Sequence, residues 1–316
     1  MICRLQVNIT HNFSNFKSDK KTILTIGTFD GVHIGHQEII KSLVNEAREK
    51  NCAATLLTFF PHPRMVLQKN ADIKLIHTID EKSEELERLG LDELIIHPFD
   101  VAFSRLSAFE FVRDILINQL NISKLIIGHD HRFGKNREGT FEQLQEYGNI
   151  FDFELEEIPA QTLDDVSISS TKIRNALFDG NIERANSYLG TNFSIKGRVV
   201  KGNNIGNTIG FPTANIHIKE DYKLVPKSGA YIVKSKIYEK EFFGMMNIGN
   251  RPTVNGKNMT IEVNFFDFNQ NIYDEFIEIE FLKFLRPEQK FDSIQNLAQQ
   301  LEKDKLTAID FIKSTF

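Results

Sequence analysis

Tryptophan is absent from the sequence, cysteine occurs only twice, and no run of apolar residues is sustained for long. Each shortage removes a class of protein. Cys3 and Cys52 form no CxxC pair and join no zinc-type cluster, so a reducing, cytoplasmic setting is the simplest expectation. The opening MICRLQVNITHNFSNFKSDKK is polar, and no later segment approaches the roughly 20 apolar residues of a membrane span. Neither secretion nor membrane insertion is expected. Basic residues are also in short supply: 38 Lys and Arg stand against 43 Asp and Glu, a net charge of -5. That balance argues against a nucleic-acid partner gripped by a broad basic surface, while leaving room for a local pocket that takes a small phosphorylated ligand.

What is present fits an ordinary globular protein. The 316 residues suffice for two domains with separate cores, and 41% hydrophobic with 26% charged residues is a folded-protein balance. Phenylalanine, at 27 residues, fills core positions that other sequences share among more residue types. No internal repeat is visible.

From Thr22 to about Ile158, β-rich runs alternate with helix-period segments: TILTI, GHQEIIKSLVNEAREK, AATLLTF, EKSEELERLG, ELIIHPF, SAFEFVRDILINQL and KLIIG. The alternation predicts an α/β domain with a parallel, Rossmann-like sheet that binds ligands where strands end and helices begin. A helical stretch, TKIRNALFDGNIERANSYLG, follows. From Phe193 the texture is that of β-strands separated by Gly, Asn and Pro turns: SIKGRVVKG, AYIVKSKIY, EFFGMMNI, MTIEVNFF and EFIEIEFLKFL. Helical periodicity returns in FDSIQNLAQQLEKD and TAIDFI. The second part is therefore predicted to be a small antiparallel β-barrel with C-terminal helices, and the domains to span 1–187 and 188–316.

Two local patterns carry chemistry. In TILTIGTFDGVHIGHQEII a strand enters a turn containing Gly27, Gly31 and Gly35, and a helix is expected to open just after His33 and His36. A helix N-terminus offers free backbone N–H groups and the positive end of its dipole, which suits a phosphate. Two imidazoles three residues apart can stabilise charge developing at an α-phosphorus. GRVVKGNNIGNTIGFPTANI is neither a Walker A loop nor a dinucleotide GxGxxG. Its Gly202, Gly206 and Gly210 are compatible with a flap over phosphates, and Thr213 and Asn215 can offer oxygens to a hydrated divalent cation. Glu262, in IEVNFF, reads by itself as a residue on the solvated face of a strand.

Other readings of the same residues stay open at this point. Ser-Ser-Thr in ISSTKIR serves equally as a helix N-cap. His33, His36, His129, Asp130 and His131 can be read as ligands of a metal-dependent hydrolase, although no carboxylate-rich motif accompanies them.

The tetrapeptide HIGH between strand and helix resembles the nucleotidylyltransferase superfamily, and GTFDGVHIGH resembles the FMN adenylyltransferase module of bacterial riboflavin kinase/FAD synthetases. TFFPHPR, IIGHDHRFGKNREG and ISSTKIR agree with that module in order and distance. GFPTAN resembles the signature of riboflavin kinase. The resemblance covers nearly the whole chain from about Ile23, and implies phosphorylation of riboflavin to FMN, then adenylylation of FMN to FAD, with ATP as co-substrate and Mg2+ as cofactor. It implies catalytic roles for Glu262, His33, His36 and Arg174. ATP would be bound by Gly27, Phe29, Gly35, Ser169, Ser170, Thr171, Gly202, Gly210 and Thr213. The flavin would be bound by Phe59, Pro61, His62, Asp130, Asn247 and Gly249, the last two in a second flap, GMMNIGNRPTV, that also holds Pro252. Thr213 and Asn215 would hold the metal. A strand bearing Glu262 would be followed by a hairpin. Asn207 and Asn264 depart from residues common in that family, Arg and His. A kinase with a silent first domain, and a flavin sensor without turnover, are the alternatives.

Overall fold

The computed structural model describes residues 6–68, 72–128, 132–135, 138–159, 162–163, 166–202, 206, 209–253 and 256–316. The chain packs as two compact units, Met1–Ser170 and Thr171–Phe316.

The first unit is built on six parallel strands: β1 (Asn8–His11), β2 (Thr22–Ile26), β3 (Ala53–Phe59), β4 (Glu93–His97), β5 (Ile122–Gly128) and β6 (Glu154–Ile158). Their order across the sheet is β1-β4-β3-β2-β5-β6. The helices are α1 (Ile34–Glu49), α2 (Pro63–Leu67), α3 (Ile79–Arg88), α4 (Ala108–Glu110) and α5 (Phe141–Phe151). The predicted α/β architecture with a Rossmann-like parallel sheet is therefore present. Central strands carry apolar residues on both faces. Leu24, Leu57, Ile95 and Leu125 enter one core with Val112 and Leu116, while Ile23, Leu56, Leu94 and Ile126 enter the other with Ile40 and Leu43 of α1. A strand covered on both sides has no solvated face, which is why TILTI and AATLLTF read as nearly continuous hydrophobic runs. The order reverses direction beside β2, whose neighbours are β3 and β5, so the carboxyl end of β2 lies at a topological switch point.

Several elements differ from expectation. The edge strands β1 and β6, NITH and ELEEI, have mostly exposed or half-exposed side chains and are set by pairing with β4 and β5 rather than by any pattern of their own. SAFEFVRDILINQL starts as an α-helix capped by Ser107, then continues with π-helical winding over Phe111–Ile117. Phe111, Val112, Ile115 and Leu116 of this segment all reach the core. α1 opens after His33 alone; His33 is its N-cap and His36 lies inside its first turn.

The second unit begins with α6 (Ser170–Asp179, whose first residue belongs to the first unit) and α7 (Ile182–Leu189). Between units, the strand pair β7 (Thr162–Leu163) and β8 (Val166–Ser167) belongs to the end of the first. Then β9 (Ser194–Val200), β10 (Ala214–His217), β11 (Gly229–Ile237), β12 (Lys240–Thr253), β13 (Gly256–Phe265) and β14 (Phe276–Pro287) close an antiparallel barrel in the order β10-β13-β12-β11-β14-β9. This is the predicted small barrel. Ile261, Val263 and Phe265 alternate with Glu262 and Asn264 along β13, the first set buried and the second half-exposed. The period-2 rule thus turns Glu262 away from the barrel core.

Three expectations are corrected here. β13 and β14 are not hairpin partners: β13 lies between β10 and β12, and β14 between β11 and β9. Asn247, Gly249 and Pro252 do not form a loop, because their backbone pairs along β12 with Glu262, Thr260 and Lys257 of β13. The last two helical segments are one continuous helix, α8 (Ile294–Thr315), since LEKDKL between them contains no breaker. α8 lies on the barrel exterior, with Ala308 and Phe311 in a cluster with Ile232, Met245 and Leu282. Arg286 of β14 donates from Nε and Nη2 to the nearly buried Asp304 of α8 at 2.9 and 2.8 Å, and Gln300 Nε2 adds a bond to Asp304 at 2.8 Å.

Breaking one side of a buried ion pair strands the other charge. Asp304→Ala is expected to destabilise the second unit by about 3 kcal/mol, read in urea unfolding of the full chain as an earlier transition for the barrel. An unshifted transition would mean that α8 docks by apolar contact alone.

Candidate active sites

The first site is assembled at the carboxyl end of β2. Between Ile26 and α1 the backbone takes positive φ at Phe29 (44°), Gly31 (88°) and Val32 (37°). Two non-glycine residues in that region hold a strained turn, and the strain persists because Phe29 and Val32 are anchored in the core. A side chain at Gly27 would press on the Phe29 ring at 3.0 Å, so glycine permits the turn to fold back on itself. The His33 side chain accepts from the backbone N–H of His36 at 3.4 Å as the helix cap. The two imidazoles stack with centroids 3.7 Å apart, and His36 stacks in turn on Phe29 at 4.5 Å. Gly35 sits between them in the first turn of α1.

Asp30, almost wholly buried, organises what surrounds the turn. Its Oδ1 accepts from the backbone N–H groups of Ile76 (2.9 Å) and His77 (3.3 Å), and its carbonyl accepts from Ser170 Oγ at 2.8 Å. ISSTKIR is thereby tied to GTFDGVHIGH through Ser170. Ser169 precedes the helix; Thr171 and the buried Arg174 follow on α6, in the second unit. Lys82 of α3 reaches the same turn, donating to the Thr28 carbonyl at 2.6 Å. Burial first, then the neighbouring His33, Lys82 and His77, hold the His36 pKa well below its ordinary value. It is a neutral imidazole at pH 7, and its Nδ1 is buried without a hydrogen-bond partner among the described residues.

Beside this turn, β3 ends at Phe59, followed by the cis Phe60–Pro61 bond, the exposed Pro61, and His62, whose Nδ1 caps α2 by accepting from Arg64 N–H at 3.1 Å. Phe59 meets Phe99 and Phe103 at 5.7 and 5.4 Å, and His97 stacks on Phe13 at 4.0 Å with Nδ1 3.2 Å from Asn12 Oδ1. An aromatic wall thus lines the ends of β3 and β4. His129, Asp130 and His131 lie outside the described residues, as does Asn207. Among the described residues no group of three His, Cys, Asp or Glu side chains is placed to hold a metal ion.

The second site lies on the barrel exterior. Asn215 of β10 and Asn247 of β12 are the cross-strand partners of Glu262 on either side, so the three share one row and one face. Thr213 Oγ1 is 3.5 Å from Glu262 Oε2. Gly202 passes so close to Asn215 that an added Cβ would fall 2.0 Å from its Nδ2, and Gly206 likewise abuts the Phe211 carbonyl. Gly210, at φ 81°, faces open space. Asn264 donates to the Pro212 carbonyl at 2.7 Å and so holds the Pro-Thr-Ala-Asn turn in place. An open cleft of about 410 Å³ adjoins this corner, lined by Phe211, Pro212, Asn264, Phe266, Phe268 and Lys305 among others. Gly249 is packed between Asn247 and Glu288.

Two family models match the chain in series: FAD synthetase over residues 15–172 and riboflavin kinase over residues 189–312. The bifunctional riboflavin kinase/FMN adenylyltransferase of Haemophilus influenzae is 42% identical over 92% of this chain and 94% of its own length. This chain belongs to that bifunctional family. The Bacillus subtilis member is 38% identical over 98% of both chains. A crystal structure from Streptococcus pneumoniae described as a macrolide-efflux protein superposes with a TM-score of 0.88 at 33% identity, covering 96% of this chain and 98% of that one. No helix among the described residues is long and apolar enough to cross a membrane.

Within this member of the family, Asp30, His77 and Lys82 were not legible as site residues. Asp30 stands inside GTFDGVHIGH but offers no spacing signal, and Lys82 sits in a charged helix that reads as solvated.

His97 gives a testable pH response. Burial lowers its pKa from 6.5 to about 4, so the unfolded chain takes up the proton first as pH falls, and stability is lost between those values. The loss is expected to be on the order of 2 kcal/mol, discounted for water reaching the ring. His97→Gln should show a smaller drop in urea stability between about pH 6.5 and about pH 4; an equal drop would assign the effect elsewhere.

Proposed function

We infer that the chain makes both flavin cofactors, phosphorylating riboflavin to FMN and adenylylating FMN to FAD with release of pyrophosphate. The observation that carries this reading is the presence, in one chain, of both family matches in the family's order, each over a unit with its own constellation of residues. Adenylylation is assigned to residues 1–187 and phosphorylation to 188–316. Both reactions consume ATP with a divalent metal, for which we propose Mg2+, and the two cysteines suit a reducing cytoplasm.

In the barrel, Glu262 is proposed as the base that takes the proton of the riboflavin 5′-hydroxyl as its oxygen attacks the γ-phosphate. The oxygens of Thr213, Asn215 and Glu262 gather at one corner, a hard donor set that suits a small dication retaining several waters. Such an ion, when bound, neutralises charge on the phosphate oxygens. Gly202 and Gly210 are assigned to the ATP phosphates, Gly210 with open space beside its backbone, and Asn247 and Gly249 are assigned to the flavin from β12. In the first unit, the FMN phosphate attacks the α-phosphate of ATP. Backbone N–H groups at the start of α1, with Gly27, Phe29 and Gly35 shaping the approach, would bind the triphosphate, and Ser169, Ser170, Thr171 and Arg174 are assigned to ATP as well. His33 and His36 would stabilise charge developing in the transition state, a stacked pair in which burial holds His36 neutral until phosphate is near. Phe59, Pro61, His62 and Asp130 are assigned to the flavin.

The purified chain incubated with riboflavin, ATP and Mg2+ should yield FMN and then FAD, resolved by chromatography. FMN alone would leave a kinase with a silent first unit, and unchanged riboflavin would leave a binding protein. Glu262→Gln should cut FMN formation by about a hundredfold or more while supplied FMN is still converted to FAD. His36→Ala should let FMN accumulate, with FAD synthesis down about a hundredfold; undiminished FAD synthesis would remove His36 from the mechanism.

A further inference from the structure

Resting on the adenylylation reading, we propose that Lys82 is a positioning residue of that site, a buried ammonium that fixes the Thr28 carbonyl and charges the pocket behind His36 for a polyphosphate. The case begins with burial. Lys82 is only 4% exposed, in the first turn of α3 beside the buried capping-box Glu81. Lysine is rarely buried unless its charge is used. Here the side chain runs inward and its Nζ meets the carbonyl of the residue that opens the strained Thr28–Val32 turn. The same carbonyl also accepts from Thr58 Oγ1 at 3.3 Å, so the turn is held from α3 and from β3 together.

A neutral donor would serve to pin a carbonyl. The surroundings give a reason for a cation. The charged and titratable groups that face Lys82 are Asp30 from the turn and His36 from α1, and His33 and His77 press on His36 from the turn and from the segment before α3. His33, Lys82 and His77 thus each disfavour the charged form of His36, while Asp30 favours that of Lys82. Basic groups gathered this closely are costly to charge together until an anion arrives. Burial, opposed by Asp30, brings the Lys82 pKa down to about 8. An arriving triphosphate reverses that balance, favouring the charged lysine and a protonated His36 at the moment when α-phosphorus charge builds up. A fixed charge already in place needs no reorganisation during the reaction. Lys82 itself acts through the turn and through His36 rather than by touching the reacting atoms.

The test is the FMN-to-FAD rate of the full chain, measured as kcat and KM for ATP from about pH 7 to about pH 9.5, because kcat/KM reports the free enzyme. The wild type is expected to lose kcat/KM as pH rises through about 8, where Lys82 gives up its proton. Lys82→Met should lower kcat/KM by at least about tenfold, chiefly in kcat, and abolish that alkaline fall. Lys82→Arg, which keeps its charge throughout, should retain turnover and also lose the fall. Thermal unfolding identifies a variant that is merely unstable. Should Lys82→Met unfold at the assay temperature, the Arg variant decides. Persistence of the same alkaline fall in either variant, or wild-type kcat/KM in Lys82→Met, overturns the proposal. A wild type that makes no FAD overturns the adenylylation reading itself, and Lys82's part in it.

Discussion

The carboxyl end of β2 is the point on which the first unit's chemistry depends. All five side chains of β2 are buried between two cores, and its neighbours on either side run on to different parts of the chain. A strand held so firmly has no freedom to adjust where it stops. The next seven residues must therefore turn sharply enough to launch α1 back over the sheet. The positive φ values at Phe29, Gly31 and Val32 are the consequence, and the packing of Phe29 and Val32 is what sustains them. His33, Asp30 and the carbonyl of Thr28 are all placed by that one turn. Its partners, Ser170, Ile76, His77 and Lys82, come from three separate stretches of chain.

The barrel obeys a different constraint with a comparable result. Closing six antiparallel strands removes every edge and fixes which residues lie side by side. Glu262 falls between Asn215 and Asn247 because register places it there, and Thr213 is brought near it as the residue directly before β10. Burial of Ile261 and Val263 turns Glu262 outward, on the strand face it shares with Asn264, which lines the open cleft beside Phe211 and Pro212. A one-residue slip of β13 would bury the carboxylate and disperse the site.

The differences from expectation share a cause. Asn247, Gly249 and Pro252 look like turn residues, yet pairing with β13 overrides their local preference. NITH and ELEEI lack strand patterning, yet a neighbouring strand supplies their hydrogen bonds; ELEEI is further held by Lys124 contacting Glu156 at 2.6 Å. Asn264 bonds the Pro212 carbonyl, a contact no spacing could reveal.

The sequence by itself determined the two-part organisation, the parallel sheet, the barrel, and the motifs GTFDGVHIGH and GFPTAN that carry the family relationship. These are local properties: alternation, breakers and short strings read without knowing what lies opposite. Only the tertiary structure decided that Asp30 binds two distant amides, that His36 stays neutral, that Lys82 is buried under Thr28, and that Glu262 stands between two asparagines. Those facts depend on contacts between residues far apart in sequence, where burial and register rather than residue identity set what each group can do.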